Sequence, residues 1–237
     1  MKKLLVSLSL FIAINAVAQS ADEIVQKHSA NMGGLDGFNK IKSAKITGTY
    51  STQGSDFPLT IQIINGKAMR TDVDINGQPV TNCYYNGKAW KINPFAGAPD
   101  PTEVTGTELN DFKAQSFLGS SLMDYKARGH KIELAGEDNV EGVKVFKIKL
   151  TAKEDGKETT YYISQVDYSL IKLVYTREIQ GQEMEVESYY SDPKEIDGLK
   201  FFMTRNSEIE GQVFQTIKFE KVELNVPIDE KIFEMPK

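Results

Sequence analysis

The sequence predicts a mainly β protein with a few helices, of the α+β class, built around one curved antiparallel sheet. Two observations lead to this prediction. From Ser43 onward, apolar and polar residues alternate along many short segments, which is the period of strands with one buried face. Asn-Gly pairs at 65–66, 76–77 and 86–87 are typical of tight hairpin turns, because type I′ turns need positive φ at both central residues.

Residues 1–18 have the pattern of a cleavable signal peptide, with two lysines, an apolar run and the small residues Ala16-Val17-Ala18. The next residue is Gln19 rather than the cysteine that a lipid anchor would need. We therefore expect residues 19–237 to be exported to the periplasm as a single unanchored domain.

The formal net charge is −5, and no block is rich in lysine and arginine. A mildly acidic chain has no electrostatic reason to bind nucleic acid. After residue 18 no stretch approaches the roughly 18 apolar residues of a membrane-spanning helix. We expect a monomer that does not span the membrane and whose contacts with lipid are apolar.

Helical spacing occurs in two regions. Residues 21–41 predict two short helices separated by Gly33-Gly34. Residues 96–106 are rich in Gly, Pro and Ala and predict a loop. Residues 107–128 regain helical spacing before Gly129, a residue suited to a helix end. This second region predicts a lid helix laid over the sheet.

Strand patterns resume after the lid, with glycine in most of the connecting turns. The predicted strands are 131–137, 143–151, 158–164, 169–179, 183–190, 199–208 and 212–224. Together with the earlier strands they make eleven or twelve in one sheet. Such a sheet is too wide to stay flat, so we expect it to curl.

Few residues suggest catalysis or metal binding. The two histidines, His28 and His130, have no metal-ligand spacing, and no nucleophile elbow or phosphate loop is present. Residues 72–77 match the first half of a calcium loop, but its twelfth position is Cys83. We expect no catalytic residue, no metal and no cofactor, although 33 acidic residues leave a carboxylate pair open. The lone cysteine is expected to be a buried small hydrophobe.

Trp90, the only tryptophan, lies on a short predicted strand. A large rigid aromatic of this kind can line an apolar cavity. Several strands are bulky on both faces, which either core packing alone or an acyl-chain cavity explains. The candidate ligand-binding residues are Trp90, Leu59, Ile61, Ile63 and Met69 as the floor, and Phe112, Phe117, Leu118 and Leu122 on the lid.

The strand Asn86–Phe95, with its Gly-Lys, Trp and Pro, resembles a strand of the periplasmic lipoprotein carriers of the Lol system. Further segments resemble the broader group of outer-membrane lipoprotein-sorting proteins: Met32–Leu35, Ser43–Gly48, Leu122–Leu134, Glu141–Val143 and Phe233–Pro236. The resemblance implies an incomplete β-barrel closed by helices around a hydrophobic cavity for lipoprotein acyl chains. It also implies an inner-membrane release complex and an outer-membrane acceptor as partners.

The chain departs from the carriers in its longer C-terminal run of strands and in Ile92, where carriers often have an aromatic residue. These departures favour acyl-chain binding over lipoprotein delivery itself. The leading hypothesis is a non-enzymatic carrier or binding protein for lipoprotein acyl chains or another hydrophobic ligand. The alternatives are an envelope sensor or structural module on the same fold, and a carboxylate-based hydrolase.

Overall fold

A computed structural model describes residues 19–179 and 181–236. The predicted signal peptide lies outside the described residues. In the described part, thirteen strands form one antiparallel sheet, accompanied by four α-helices. The helices are α1 Ala21–Asn31, α2 Leu35–Lys40, α3 Gly106–Gln115 and α4 Tyr125–Arg128. None of these helices is long and apolar enough to cross a membrane.

The strands follow the chain as two meanders. They are β1 Ser43–Thr52, β2 Ser55–Ile64, β3 Ala68–Ile75, β4 Gln78–Tyr85, β5 Lys88–Asn93, β6 Ala98–Val104, β7 Lys131–Val140, β8 Val143–Thr151, β9 Glu158–Ser164, β10 Leu170–Ile179, β11 Gln182–Ile196, β12 Leu199–Ile209 and β13 Gln212–Leu224. In the sheet β1 pairs with β13, so one meander runs outward from β1 to β6 and the other from β13 to β7. The sheet is curved and unclosed, which confirms the predicted fold class.

Most of the predicted hairpin turns and strands are present in the structure. At Asn76-Gly77 and Asn86-Gly87 both residues have positive φ, as predicted. At the turn between β2 and β3 only Gly66 has positive φ. The reason is the turn type: Lys67 N–H donates to Ile64 O at 2.8 Å, and a turn with positive φ only at its second central residue has the type II pattern. All seven strands predicted after residue 130 are present, although β11, predicted as 183–190, extends to Ile196.

The loop predicted at residues 96–106 is wrong for most of its length, because β6 occupies Ala98–Val104 and pairs with β5. The prolines at 99 and 101 argued against a strand. They are tolerated because β6 lies at the edge of the sheet, where alternate backbone nitrogens face away from the ladder and need no partner.

The single lid helix predicted for residues 107–128 is also wrong. Helix α3 ends at Gln115 and α4 begins at Tyr125. Between them the backbone binds a neighbouring turn instead of continuing a helix: Gly66 N–H donates to Ser116 O at 2.9 Å, and Leu118 N–H donates to the Asn65 side chain at 3.1 Å.

Gly48 lets β13 approach β1 closely at a register shift between Thr47 and Gly48. A Cβ atom at Gly48 would lie 2.1 Å from the carbonyl oxygen of Lys218, a distance that no side chain tolerates. The absence of a side chain therefore permits this local irregularity where the two meanders join.

The helices cover one face of the sheet, which we call the helix face. Helices α1 and α4 pack on β8 to β10 through a cluster that includes Ile24, Val25, Tyr125, Ile148 and Tyr161. Helix α2 packs beside β12 through Phe38 and Leu199. Because side chains alternate along strands, the residues between these positions lie on the opposite face.

Candidate functional site

Helix α3 covers the part of the helix face formed by β2 to β6. Its buried residue Phe112 packs with a cluster of strand residues, and Leu109 and Leu118 lie against the same cluster. The strand residues are Ile61, Ile63, Met69, Tyr84, Ala89 and Val104. The structure thus brings together five of the predicted site residues, namely Ile61, Ile63, Met69, Phe112 and Leu118.

Trp90 lies on the opposite face, so its predicted position beneath the lid is wrong. It packs with Ala68, Cys83 and Phe233, and its indole N–H donates to Phe233 O at 3.0 Å. The physical reason is strand alternation, since Ala89 and not Trp90 points toward α3. Counting outward from the Asn86-Gly87 turn pairs Cys83 with Trp90, and this count was available in the sequence.

Phe117 and Leu122 do not share a face with Phe112, because the segment between α3 and α4 is not helical. Leu122 is fully buried beside Ile24 and Ile148 in the cluster under α1. The ring of Phe117 lies 4.0 Å from the guanidinium of Arg128 and against Gly66. These two side chains hold the segment in place and do not line the surface under α3.

Leu59 belongs to a different apolar surface, which we call the open apolar cluster. Its members all lie on strands: Tyr50, Phe57, Leu59, Ile61, Val73, Ile75, Val80, Ile217 and Phe219. The register places Leu59 opposite Val73 and on the same side as Ile61 and Ile63. The cluster therefore continues the helix face beyond α3. Most of its side chains remain partly exposed.

Helix α3 links two distant parts of the sheet through polar side chains. On one side Lys91 of β5 pairs with Glu108 at 2.8 Å. On the other side Asn110 donates to Asp155 at 3.3 Å, and Lys157 pairs with Asp111 at 3.0 Å. The last two partners lie in the turn between β8 and β9. Helix α3 thus connects β5 to the turn between β8 and β9.

Asn65 fixes the segment that follows α3. Its side-chain N–H groups donate to Phe38 O at 3.0 Å and Ile41 O at 2.9 Å, and its side-chain oxygen accepts from Leu118 N–H. One side chain therefore joins α2 to the segment after α3. The sequence predicts Asn65 only as a turn residue. Its role depends on contacts distant in sequence, for which the sequence carries no signal.

The histidines and the cysteine have structural surroundings. His28 is buried, and its Nδ1 lies 2.8 Å from Tyr168 O, while burial lowers its pKa. Burial also lowers the pKa of His130. Burial raises the pKa of Cys83 to about 12, which keeps this thiol protonated and unreactive.

Within the described part of the chain, no group of three or more His, Cys, Asp or Glu side chains is placed to hold a metal ion. Of the acidic run on β11, Glu187 is engaged with Lys172 at 2.9 Å and with the hydroxyl of Tyr189 at 2.6 Å. Both partners flank it on the face opposite the helices. This arrangement is that of an ion pair on a sheet surface.

The chain matches no protein-family model and no curated protein sequence. Its fold is similar to a LolA superfamily protein from Nitrosomonas europaea, with a TM-score of 0.58 and 10% identity over 92% of this chain and 98% of that one. A DUF1329 family protein from Desulfovibrio piger gives a TM-score of 0.57 and 15% identity over 92% and 98%. A domain named for outer-membrane lipoprotein sorting, from Vibrio parahaemolyticus, gives 0.58 and 11% over 90% and 97%.

These likenesses extend over nearly the full length of each compared chain. At identities of 10% to 15% they establish the fold alone. The chain therefore has the fold of the LolA superfamily and of outer-membrane lipoprotein-sorting domains.

Proposed function

We propose that the protein is a non-enzymatic periplasmic carrier that binds acyl chains of lipoproteins, or of another lipid, on the helix face of its sheet. The observation that carries this proposal is the continuity of two apolar surfaces through Ile61, one covered by α3 and the other open. An acyl chain that enters at the open apolar cluster can extend under α3 when that helix moves.

Helix α3 is suited to move because its attachment is weak. Phe112 is its one buried residue, and burying such a side chain contributes about 1.5–3 kcal/mol. Its polar links to Lys91 and Lys157 are partly exposed, and pairs of that kind contribute about 0–1 kcal/mol each. At about 0.8 kcal/mol per buried CH₂ group, an acyl chain offsets the loss of these contacts with a handful of methylenes.

Carriage in the periplasm requires export and release. We propose that residues 1–18 are removed after Ala18, that residues 19–237 act as one domain, and that an inner-membrane release complex and an outer-membrane acceptor are its partners. The intact mass of the exported protein tests the first step. A mass that includes residues 1–18, or an added lipid anchor, contradicts it.

Native mass spectrometry of protein purified from its own envelope tests binding directly. The expected result is a co-purified lipid or lipoprotein. A protein that is empty and that also fails to bind added dodecanoate favours the alternative of a sensor or structural module. Conversion of the lipid to products favours the carboxylate hydrolase.

A matched pair of variants tests the location. Ile61 lies on the helix face and Ile92 on the opposite face, and both are partly buried strand residues. Ile61→Ser should weaken dodecanoate binding at least tenfold, measured by displacement of the neutral dye N-phenyl-1-naphthylamine. Ile92→Ser should bind like the parent although both variants lose similar stability. Equal affinities in the two variants would contradict a site on the helix face.

A further inference from the structure

Arg205 is a cation on the helix face with an unsatisfied donor. Its Nε atom is buried and has no hydrogen-bond partner among the described residues. No ion pair in residues 19–179 and 181–236 includes Arg205. Guanidinium stays charged at all physiological pH values. Arg205 as a whole is half-buried, and an anion that accepts from Nε would satisfy this donor and pair the charge.

The neighbours of Arg205 are given by the strand register. Arg205 of β12 lies directly opposite Tyr190 of β11 and Ile217 of β13. Burial raises the pKa of Tyr190, and the nearby guanidinium of Arg205 opposes this shift. A neutral phenol can accept a hydrogen bond from the guanidinium but does not neutralise its charge.

Two further polar groups lie one step along the same face. The hydroxyls of Ser188 and Ser207 are 3.0 Å apart, and both residues are buried. They occupy the next inward positions after Tyr190 and Arg205. One of the two O–H groups donates in the bond that they share, so the other O–H remains able to donate. The patch can therefore offer one hydroxyl donor to an anion held by Arg205.

Arg205 also lies at the border of the open apolar cluster. Ile217 pairs with Tyr50, and Tyr50 pairs with Phe57, so Arg205, Ile217, Tyr50 and Phe57 form one row across four strands. Neighbouring strands are about 4.8 Å apart, which makes the row about 14 Å long. An extended acyl chain can lie along such a row with its polar end at Arg205.

We infer that Arg205 is the headgroup site of the ligand, and that the ligand is an amphiphile whose polar end is a carboxylate or a phosphate. This inference rests on the proposed function and selects its second ligand class, another lipid, because the lipid anchor of a lipoprotein carries neither a carboxylate nor a phosphate. The planar guanidinium can bind either anion through two parallel N–H donors, while the acyl chain covers the open apolar cluster. Both headgroups share this chemistry, and the test below separates them.

The test compares three ligands with the same chain, namely dodecanoate, dodecyl phosphate and neutral dodecanol, by displacement of N-phenyl-1-naphthylamine at pH 8. The parent protein should bind at least one of the two anions at least tenfold more tightly than dodecanol. Tighter binding of dodecanoate assigns a fatty-acid-type ligand, and tighter binding of dodecyl phosphate assigns a phospholipid-type ligand. Either preference supports the inference.

Arg205→Met should bind the anions no better than dodecanol while keeping the affinity for dodecanol. Arg177→Met is the matched control, because Arg177 is an exposed arginine on β10, two strands away from β12 in the sheet, and it should keep the parent preference. Arg205→Lys retains the positive charge but lacks the two parallel N–H donors of guanidinium, so its preference for the anions over dodecanol should be smaller than that of the parent. The comparison of ligands on the parent protein decides the question if Arg205→Met does not fold.

Two failures are distinguishable. Equal binding of all three ligands by the parent protein would overturn the headgroup site and leave the carrier proposal standing. Absence of binding by every ligand, in a protein whose circular dichroism shows an intact fold, would overturn the carrier proposal and the headgroup site together.

Discussion

The indole N–H of Trp90 donates to the backbone carbonyl of Phe233 at 3.0 Å, and the ring of Phe233 is fully buried beside it. Arg70 reinforces this contact by donating to the adjacent carbonyl of Ile232 at 2.6 Å. The C-terminal segment therefore covers the face opposite the helices. Trp90 is a core residue of that face, separated from the helix face by the sheet itself.

Trp90→Phe should lower the free energy of unfolding by about 2–3 kcal/mol, because it removes one hydrogen bond to the carbonyl of Phe233 and leaves a cavity where the larger indole ring packed. Dodecanoate binding should be unchanged. Urea unfolding and dye displacement measure the two quantities. A tenfold loss of affinity in a folded variant would show that Trp90 contacts the ligand after all.

Asn65→Ala removes three hydrogen bonds that join α2 to the segment after α3. At about 1 kcal/mol for each bond, we expect a loss of about 3 kcal/mol in urea unfolding. Asn110→Ala is the control, since it removes one long hydrogen bond to Asp155 and should cost less than about 1 kcal/mol. Similar losses in both variants would show that Asn65 acts only as a turn residue.

Hydrogen exchange should be faster in α3 than in Leu118 and in the central strands. Helix α3 has one buried side chain, whereas Leu118 N–H is held by Asn65, and segments with few buried contacts open first. Phe112→Ser should accelerate exchange in α3 and leave β12 unchanged. Phe95→Ser is the control, because the Phe95 side chain is 60% exposed; it should leave hydrogen exchange unchanged in both α3 and β12. Protection of α3 equal to that of the sheet would mean that it is not a lid.

Gly48→Ala should prevent folding or destabilise the protein by several kcal/mol, because its Cβ would clash with Lys218 O. Gly119→Ala is the control, since its Cβ would lie 3.6 Å or more from Phe38 and Leu35, in ordinary contact. Thermal unfolding of both variants checks this contrast. A folded Gly48→Ala variant with parent stability would contradict the close approach of β1 and β13.

The stability of the protein should fall as the pH decreases from 7.5 to 5.5. Burial lowers the pKa of His28 below its usual value near 6.5, so in this range the unfolded chain takes up a proton that the folded protein does not. His28→Gln should reduce the slope, measured by urea unfolding at each pH. The lowered pKa values of Asp22 and Glu187 act below pH 4.5 and do not contribute here.

Burial lowers the pKa of His130 as it does that of His28, so both histidines should contribute to the pH dependence of stability. The His130→Gln variant measures the contribution of His130 alone. Each variant should remove part of the slope, and both should bind dodecanoate like the parent because neither ring lies in the clusters under α3 or in the open apolar cluster. An unchanged slope in both variants would assign the pH dependence to other groups.

Much of the fold was determined locally by the sequence. Period-two alternation and turns such as Asn76-Gly77 act over neighbouring residues, so the strands after residue 130 and the helices of residues 21–41 could be read from short segments. The same local rule, counted from the Asn86-Gly87 turn, places Trp90 opposite Cys83. The sequence also carries a signal for Arg205, a charged residue in the inward series of Met203, Arg205 and Ser207.

Only the tertiary structure decided which of these surfaces meet. The helix predicted for residues 107–128 is interrupted where the side chain of Asn65, more than fifty positions earlier in the chain, accepts a hydrogen bond from the backbone N–H of Leu118. The proline-containing strand β6 exists because it lies at an edge. Arg205 borders the open apolar cluster because β13 pairs with β1. Such pairings depend on distant residues meeting, and hydrophobic pattern and turn preference carry no information about those partners.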